Sequence, residues 1–411
     1  MRYYPFPEKK STKVLTALFL AALLFLARDT LVTSSILGFN KSQFAMLGLI
    51  CIAGVLFLVH NRSNWKDILL DKRMVLILAS AVIVLLPMIV KQDWQMMYLS
   101  VLLCLLTAVF LTYFISFREL AKYYILILTV LGLYSIVAMW ILRPLLIDTG
   151  MIAMPVFYNQ MDVMFHNFFL SFVSDSYVKT RNFGIFREPG VYQYFIILAL
   201  FLNNYAVKWN SNRIYWVCNF ALAATMLTTL ATGGVAELGL LAVIVFFDKK
   251  LYKEKRAWII IGVCALVLCV LVAYIIMDQG NLYWELYSMV LGKFMPGEDS
   301  AFGRLDAIFT DLRFFLQNPL VGEELATVLH SVTDNTTSTL ILYAGFGILG
   351  GTLNVLAWFA LIWDKERKFW VNLLLVPVMF LSFNTQNLIA DVFFWLFPYM
   401  ALTERLLHKE A

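Results

Sequence analysis

Charge is what this sequence has least of. Only 14% of its 411 residues are Asp, Glu, Lys or Arg, whereas a soluble domain is about a quarter charged. A water-soluble fold is thereby excluded, because side chains that are 61% hydrophobic and 16% aromatic leave too little polar surface to face solvent. Metal-ligand patterns are missing as well. The histidines (His60, His166, His330, His408) are scattered, and the cysteines (Cys51, Cys104, Cys218, Cys264, Cys269) all fall inside apolar runs. Zinc sites need such residues at short, regular spacing, so no metal and no disulfide are expected, and the thiols read as small apolar side chains. There is no glycine-rich phosphate loop and no dinucleotide fingerprint, which leaves no expectation of nucleotide hydrolysis or of a cofactor. Internal repeats and low-complexity tracts are absent too.

What the sequence does contain is apolar runs, recurring from end to end, each long enough to cross a hydrocarbon core of about 30 Å as a helix. A membrane β-barrel would alternate in segments of about 10 residues, and these unbroken Leu, Ile, Val, Phe and Ala runs do not. The expectation is an all-α polytopic transmembrane bundle forming a single membrane domain over 1–411. Spans are expected at 14–31, 42–59, 74–90, 95–115, 120–142, 188–206, 214–231, 234–247, 257–277, 336–362, 369–384 and 387–403, which makes twelve. With the N-terminus inside, the cytoplasmic segments hold 22 of the 32 Lys and Arg residues. That bias fits retention of basic residues on the cytoplasmic side and puts both termini there. Topology thus accounts for the net charge of +5, and a nucleic-acid partner is not expected. Arg2, Lys9, Lys10 and Lys13 precede the first run with no small-residue cleavage site after it, so an uncleaved first helix is expected.

Two outer connections are long, 143–187 and 278–335, and long connections in a compact bundle are usually functional. The stretch from Met151 to Ser174 is expected to be interfacial or re-entrant, because Asn159, Gln160, Asp162, His166 and Asn167 would be costly in lipid. In the second loop Leu305, Ile308, Phe309, Leu312, Phe315 and Leu316 recur at helical spacing, with Arg304, Asp306, Asp311, Arg313 and Gln317 on other faces. This predicts an amphipathic helix, ended by Asn318 and Pro319, lying at the outer surface with its apolar face on lipid or on the bundle.

Charged residues inside the expected spans sit near outer ends: Glu237, Asp391, and Arg28 with Asp29. Glu237 and Asp391 are equally compatible with reaching interfacial water and with a role in the site. The midplane is nearly free of ionisable groups, which weighs against an ion-coupled transporter. The densest cluster is RNFGIFREPG, from Arg181 to Gly190, at the entry to the sixth span. Glu188, Pro189 and Gly190 suit a helix start. Arg181 and Arg187 run against the positive-inside bias, and their planar donor forks suit phosphate oxygens at the depth of a lipid-linked pyrophosphate.

RNFGIFREPG reads as R-x-x-G-x-F-x-E-P-G, and in this it resembles the bacterial O-antigen polymerase and O-antigen ligase superfamily. The resemblance continues in order through GRLDAIF from Gly303, NPLVG from Asn318 and DNTTSTLILYAGFGILGG from Asp334, covering roughly 180–351. It implies a GT-C-like membrane glycosyltransferase in the bacterial cytoplasmic membrane. Its substrate would be an undecaprenyl-pyrophosphate-linked oligosaccharide, with membrane lipids and a chain-length regulator as further partners. Ligases of the superfamily carry a His-Asn pair before the last glycine motif. Here Asn335 matches, Asp334 stands in the His place, and His330 is the nearest imidazole. A polysaccharide polymerase is therefore the better match, with a ligase acting on lipid A core, or a polysaccharide or lipid transporter, as alternatives. Such a reaction needs positive charge at the leaving diphosphate and a base near the attacking hydroxyl. The implied catalytic set is Arg181, Arg187, Glu188, His330 and Asp334, and the implied substrate-binding set is Arg304, Arg313, Asn335 and Glu237. Tyr158, Phe183, Tyr283 and Trp284 are candidates to line the sugar or lipid path.

Overall fold

Helix start signals in the sequence translate into well-formed caps. Asp71 accepts a hydrogen bond from the Arg73 amide at 2.9 Å, Ser116 accepts one from the Glu119 amide at 3.3 Å, and Pro189 occupies a first helical turn. The computed structural model describes residues 10–27, 30, 32–33, 44–52, 71–113, 115–151, 156–158, 164–168, 170–174, 181–255, 299–332 and 335–408. In chain order these form α1 (Lys10–Phe25), a helical stretch at 44–52, α2 (Lys72–Lys91), α3 (Met96–Leu111) and α4 (Phe117–Val137), which a π-helical segment continues (Ala138–Ile147). Three strands follow, β1 (Val156–Tyr158), β2 (Met164–Phe168) and β3 (Ser171–Ser174), then α5 (Pro189–Tyr205), α6 (Asn212–Thr229), α7 (Thr232–Asp248) and a 3-10 turn (Leu251–Lys253). The remainder is α8 (Asp299–Gln317), α9 (Leu325–His330), α10 (Ser338–Ile362), α11 (Phe369–Phe383) and α12 (Val392–His408). The expected span at 257–277 lies outside the described residues, and the one at 42–59 is described only in part.

The chain is predominantly helical, and among the described residues three helices are long and apolar enough to cross a membrane: Lys72–Lys91, Phe117–Ile147 and Ser338–Ile362. On α2 the exposed side chains Val75, Leu78, Val82, Leu86 and Ile89 recur at helical spacing, an outward apolar stripe suited to lipid rather than water.

The all-helical expectation needs one correction, in the 151–174 stretch. β1, β2 and β3 form an antiparallel sheet in that order, with Val156 opposite His166 and Phe165 opposite Ser174. The physical reason is local. Short Phe- and Val-rich segments separated by two or a few residues satisfy their backbone groups across strands, where a helix would put the interspersed polar side chains into apolar surroundings. β3 packs on the π-helical end of α4, where Val173 meets Ala138, and Pro144 lies within that widened segment.

α5 is the axis of the bundle. Every residue from Val191 to Asn204 is buried, as expected for a helix apolar all round. α4, α6, α7 and α11 pack around it, and Tyr194 on α5 donates to the Phe393 carbonyl of α12 at 3.1 Å. A second group, α2, α3, α10 and α12, packs alongside, with α8 and α9 laid on α10. Aromatic stacking joins the groups: Trp358 of α10 lies 4.2 Å from Phe383 of α11, nearly parallel. Inter-element hydrogen bonds sort the helix termini into two ends. α3, α5, α7, α10 and α12 begin at one end, which also carries RNFGIFREPG, and they finish at the other.

Candidate functional site at the motif end

RNFGIFREPG folds as a packed turn rather than as a solvated loop. Asn182 is its anchor: its amide donates to the Ser135 hydroxyl at 2.9 Å and to Thr228 at 3.0 Å, while its carbonyl accepts from the Gly184 amide at 2.9 Å. These bonds tie the turn to the ends of α4 and α6. Gly184 has a φ of +55°, and a Cβ there would run into the Tyr192 ring, so glycine is required on two counts. Its carbonyl accepts from the Phe172 amide at 2.6 Å, which joins β3 to the turn, and Phe186 pairs with Thr30 at the end of the first helix.

The motif's charged residues are half-buried. Arg181 Nε donates to the Thr229 carbonyl at 3.1 Å, where α6 ends, and Arg187 forms an ion pair with Glu188 at 3.6 Å. Glu188 stands at the N-cap of α5 and uses its backbone carbonyl, not its carboxylate, to receive the Val191 and Tyr192 amides. Phe183 is core rather than path lining, set edge-on to Phe165 at 5.2 Å. Tyr158 lies in β1, while Tyr283 and Trp284 are outside the described residues.

One turn into α5, Gln193 organises the middle of this end. Its side chain donates to Thr385 at 2.8 Å and accepts from the Gly234 amide at 2.8 Å, linking α5, the α11–α12 connection and the start of α7. Glu237 lies one turn further along α7. It does not reach interfacial water: it is 1% exposed, and its carboxyl oxygens sit beside the Ser382 hydroxyl without hydrogen-bond geometry to any described residue. Asp391 is also buried, accepting from the Phe393 amide at 2.7 Å as α12 begins. The reason is shared. Both carboxylates lie near the starts of helices that this end packs together, so tertiary contacts cover positions that hydropathy alone puts near water.

The 335–338 segment continues the polar surface. Ser338 donates to the Gln386 carbonyl at 2.6 Å and accepts from the Leu388 amide at 2.8 Å, and the Gln386 side chain abuts Gly190. Asn335 and Thr337 both donate to the Asp311 carboxylate, at 2.8 and 2.6 Å. Asp311 on α8 is thus fully buried, although its charge suggests an outer face. Burial pushes its carboxyl up to about 6, against which the bonds from Thr337 and Asn335 act. The geometry serves both protonation states. When ionised, Asp311 accepts from Thr337; when protonated, it donates to the Thr337 hydroxyl, which then donates to the Asn335 carbonyl 3.1 Å away.

The face of α8 turned to the bundle therefore holds Ala307 and Asp311, while Leu305, Phe309, Leu312 and Leu316 are exposed. Arg304 and Arg313 are exposed as well, and His330 is exposed at the last position of α9. Asp334 lies outside the described residues.

NPLVG and the glycine motif of α10 meet backbone to backbone. α10 breaks at Gly347, which has φ +69° and ψ −168°. The 319–323 segment bonds to groups beside the break: the Ile348 amide donates to the Pro319 carbonyl at 2.8 Å, and the Glu323 amide to the Ala344 carbonyl at 2.6 Å. Lys91 Nζ donates to the carbonyls of Glu323 at 2.5 Å and Gly345 at 2.9 Å. Sequence reasoning missed Lys91, Asn182, Gln193 and Asp311. Gln193 had a visible signal, a lone amide in the apolar run VYQYFIILALF. Asp311 had a weaker one, its helical spacing from Ala307 and Phe315.

The described residues thus define a helical protein with membrane-length apolar helices and a hydrogen-bonded polar end carrying two half-buried arginines. No family model, curated protein or solved structure matches the chain.

Proposed function

We propose that this chain is a membrane glycosyltransferase of about twelve spans, both termini cytoplasmic, that polymerises lipid-pyrophosphate-linked oligosaccharide units at the outer leaflet of the bacterial cytoplasmic membrane. The observation that carries the reading is RNFGIFREPG, with Arg181 and Arg187 at the end where α3, α5, α7, α10 and α12 begin. Helix N-termini and guanidinium groups both favour anions. In the reaction a hydroxyl of one unit attacks the anomeric carbon of another. The bond from that carbon to the pyrophosphate oxygen breaks, and the lipid diphosphate departs with the electron pair. Arg181 and Arg187 would meet the growing negative charge, and the hydroxyl proton would pass to a carboxylate such as Glu188 or to Asp334. Further support comes from the break in α10: the Ile348 amide and the Ala344 and Gly345 carbonyls beside Gly347 have protein partners, whereas the broken helices of transporters leave such groups to coordinate cargo.

The test is incubation of purified protein with undecaprenyl-pyrophosphate-linked repeat units, followed by electrophoresis of the glycan. A ladder is expected. Units that stay monomeric but cross a vesicle bilayer mean transport, and glycan appearing only on added lipid A core means the ligase reaction.

A further inference from the structure

The opposite end of α5 holds a second built region, distinct from the motif end. A cavity of about 590 Å³ opens there between α5, α6 and the end of α7. Its wall is pre-organised by a closed set of hydrogen bonds. Asn203 accepts from the Trp209 indole at 2.6 Å, Asn204 accepts from the Tyr215 hydroxyl at 2.6 Å, and the Asn204 amide donates to Asn219 at 2.8 Å. Two buried asparagines thereby fix an indole and a phenol at the rim. Among the described residues Lys208 and Lys249 line the same cavity with Glu254 as the one carboxylate, so their charge is net positive.

The polar cavity adjoins an apolar groove of about 440 Å³ between α6 and α7, with Asn204, Trp216 and Leu251 lining both. Apart from Asn204 and Asn219 the groove walls are apolar, including Phe220, Ala223, Leu241 and Ala242. Along α7 it extends from Phe246 to Leu238, which is about 12 Å at ~1.5 Å per residue. That is close to the depth of one leaflet, half of a hydrocarbon core of about 30 Å. A basic, aromatic-rimmed head pocket joined to an apolar slot one leaflet deep has the shape and charge of a glycerophospholipid.

We propose that α5, α6 and α7 form a specific site for an acidic phospholipid. The head group sits against Lys208 and Lys249, and one acyl chain lies in the groove between Phe220 and Ala242. Because the site is at the far end from RNFGIFREPG, it stands whether or not the glycosyltransferase reading does.

The experiment uses the full-length protein, delipidated in detergent, with bound lipid measured by native mass spectrometry. Phosphatidylglycerol is expected to bind one to one and to outcompete phosphatidylcholine. The double variant Lys208→Ala/Lys249→Ala is expected to bind phosphatidylglycerol roughly thirtyfold more weakly, at about 1 kcal/mol per basic side chain. Ala242→Trp, at an exposed position, is expected to remove lipid binding without loss of thermal stability. Equal retention of the two lipids, unchanged binding by either variant, or displacement of the lipid by millimolar inorganic phosphate overturns the proposal. So does the absence of any bound phospholipid, as when another part of the chain fills the groove.

Discussion

At one end of the bundle α3, α5, α7, α10 and α12 begin, and at the other the same helices finish, so the two ends face opposite electrostatic problems. At the finishing end the carbonyls are the exposed groups, and basic side chains cover them. Arg367 donates to the Ile362 carbonyl at 2.7 Å and to the Tyr205 carbonyl at 3.4 Å, at the ends of α10 and α5. Arg73 reaches the Thr112 carbonyl at 3.2 Å after α3, Lys368 reaches the Asp248 carbonyl at 3.3 Å, and Arg405 reaches the Trp363 carbonyl. Arg73, Arg367, Lys368 and Arg405 there serve to cap helices. At the motif end the amides are the orphans, and they are met by Gln193, Ser338 and Asp391, while Arg181 and Arg187 add cations where the helix dipoles already favour anions. Arginine caps helices at both ends, since Arg181 also holds the Thr229 carbonyl, but at the motif end it does so where helix N-termini favour an anionic ligand.

That contrast gives the largest expected effect. Arg187→Gln should lower polymer formation by at least about a hundredfold, the loss typical of removing one donor to a developing charge, with membrane insertion intact. Arg367→Gln at the other end should leave the ladder within a few-fold of wild type and lower thermal stability instead. Equal losses of activity from the two variants would remove the distinction between the ends.

Next in size is the break in α10. Gly347 has a positive φ, and a Cβ there would collide with the backbone of Leu320. Gly347→Ala should therefore cost about 2 kcal/mol or more, read as a lower denaturation midpoint in detergent. Its control is Gly239→Ala in α7, where a Cβ meets nothing and the gain should be about 0.5 to 1 kcal/mol. A neutral Gly347→Ala would mean that the interlock with NPLVG is dispensable.

Asp311 sharpens the comparison further, because it is a buried acid at the end where anions are otherwise favoured. Its carboxyl is raised to about 6 from an ordinary 3.8, so the native state holds the proton more tightly than the unfolded chain. Its contribution to stability is then fullest below about pH 4 and declines as pH rises through about 6. Relative to Asp311→Asn, which stays neutral, wild-type stability should fall by on the order of 2 kcal/mol between pH 4 and pH 7. A flat difference across that range would show that Asp311 ionises as an exposed carboxylate does.

Much of the architecture was readable from the residues. Long apolar runs without charge specify helices because an unpaired backbone amide in an apolar medium is costly, and the positions of α2, α4, α5 and α10 follow from that alone. RNFGIFREPG also stood out, because arginines on the side with few cations are conspicuous. The sheet at 156–174 was not readable as strands, since its segments are three to five residues long and depend on cross-strand partners. Asp311 was misplaced for a related reason. On α8 the spacing leaves the apolar stripe free to face lipid or the bundle; Leu305, Phe309, Leu312 and Leu316 are the exposed face, and it is Asp311 that is turned to the bundle.

By itself the sequence determined the class of medium, the helical character and the clustering of arginines at one segment, because each is a property of local composition and the solvent it demands. Only the tertiary structure decided which polar groups meet: Asn335 and Thr337 on Asp311, Gln193 on Gly234 and Thr385, Lys91 on the carbonyls beside Gly347. Those partners lie from 24 to 254 residues apart in the chain. A hydrogen bond forms over about 3 Å, so no pattern along the sequence can express which distant residues packing will bring to that distance.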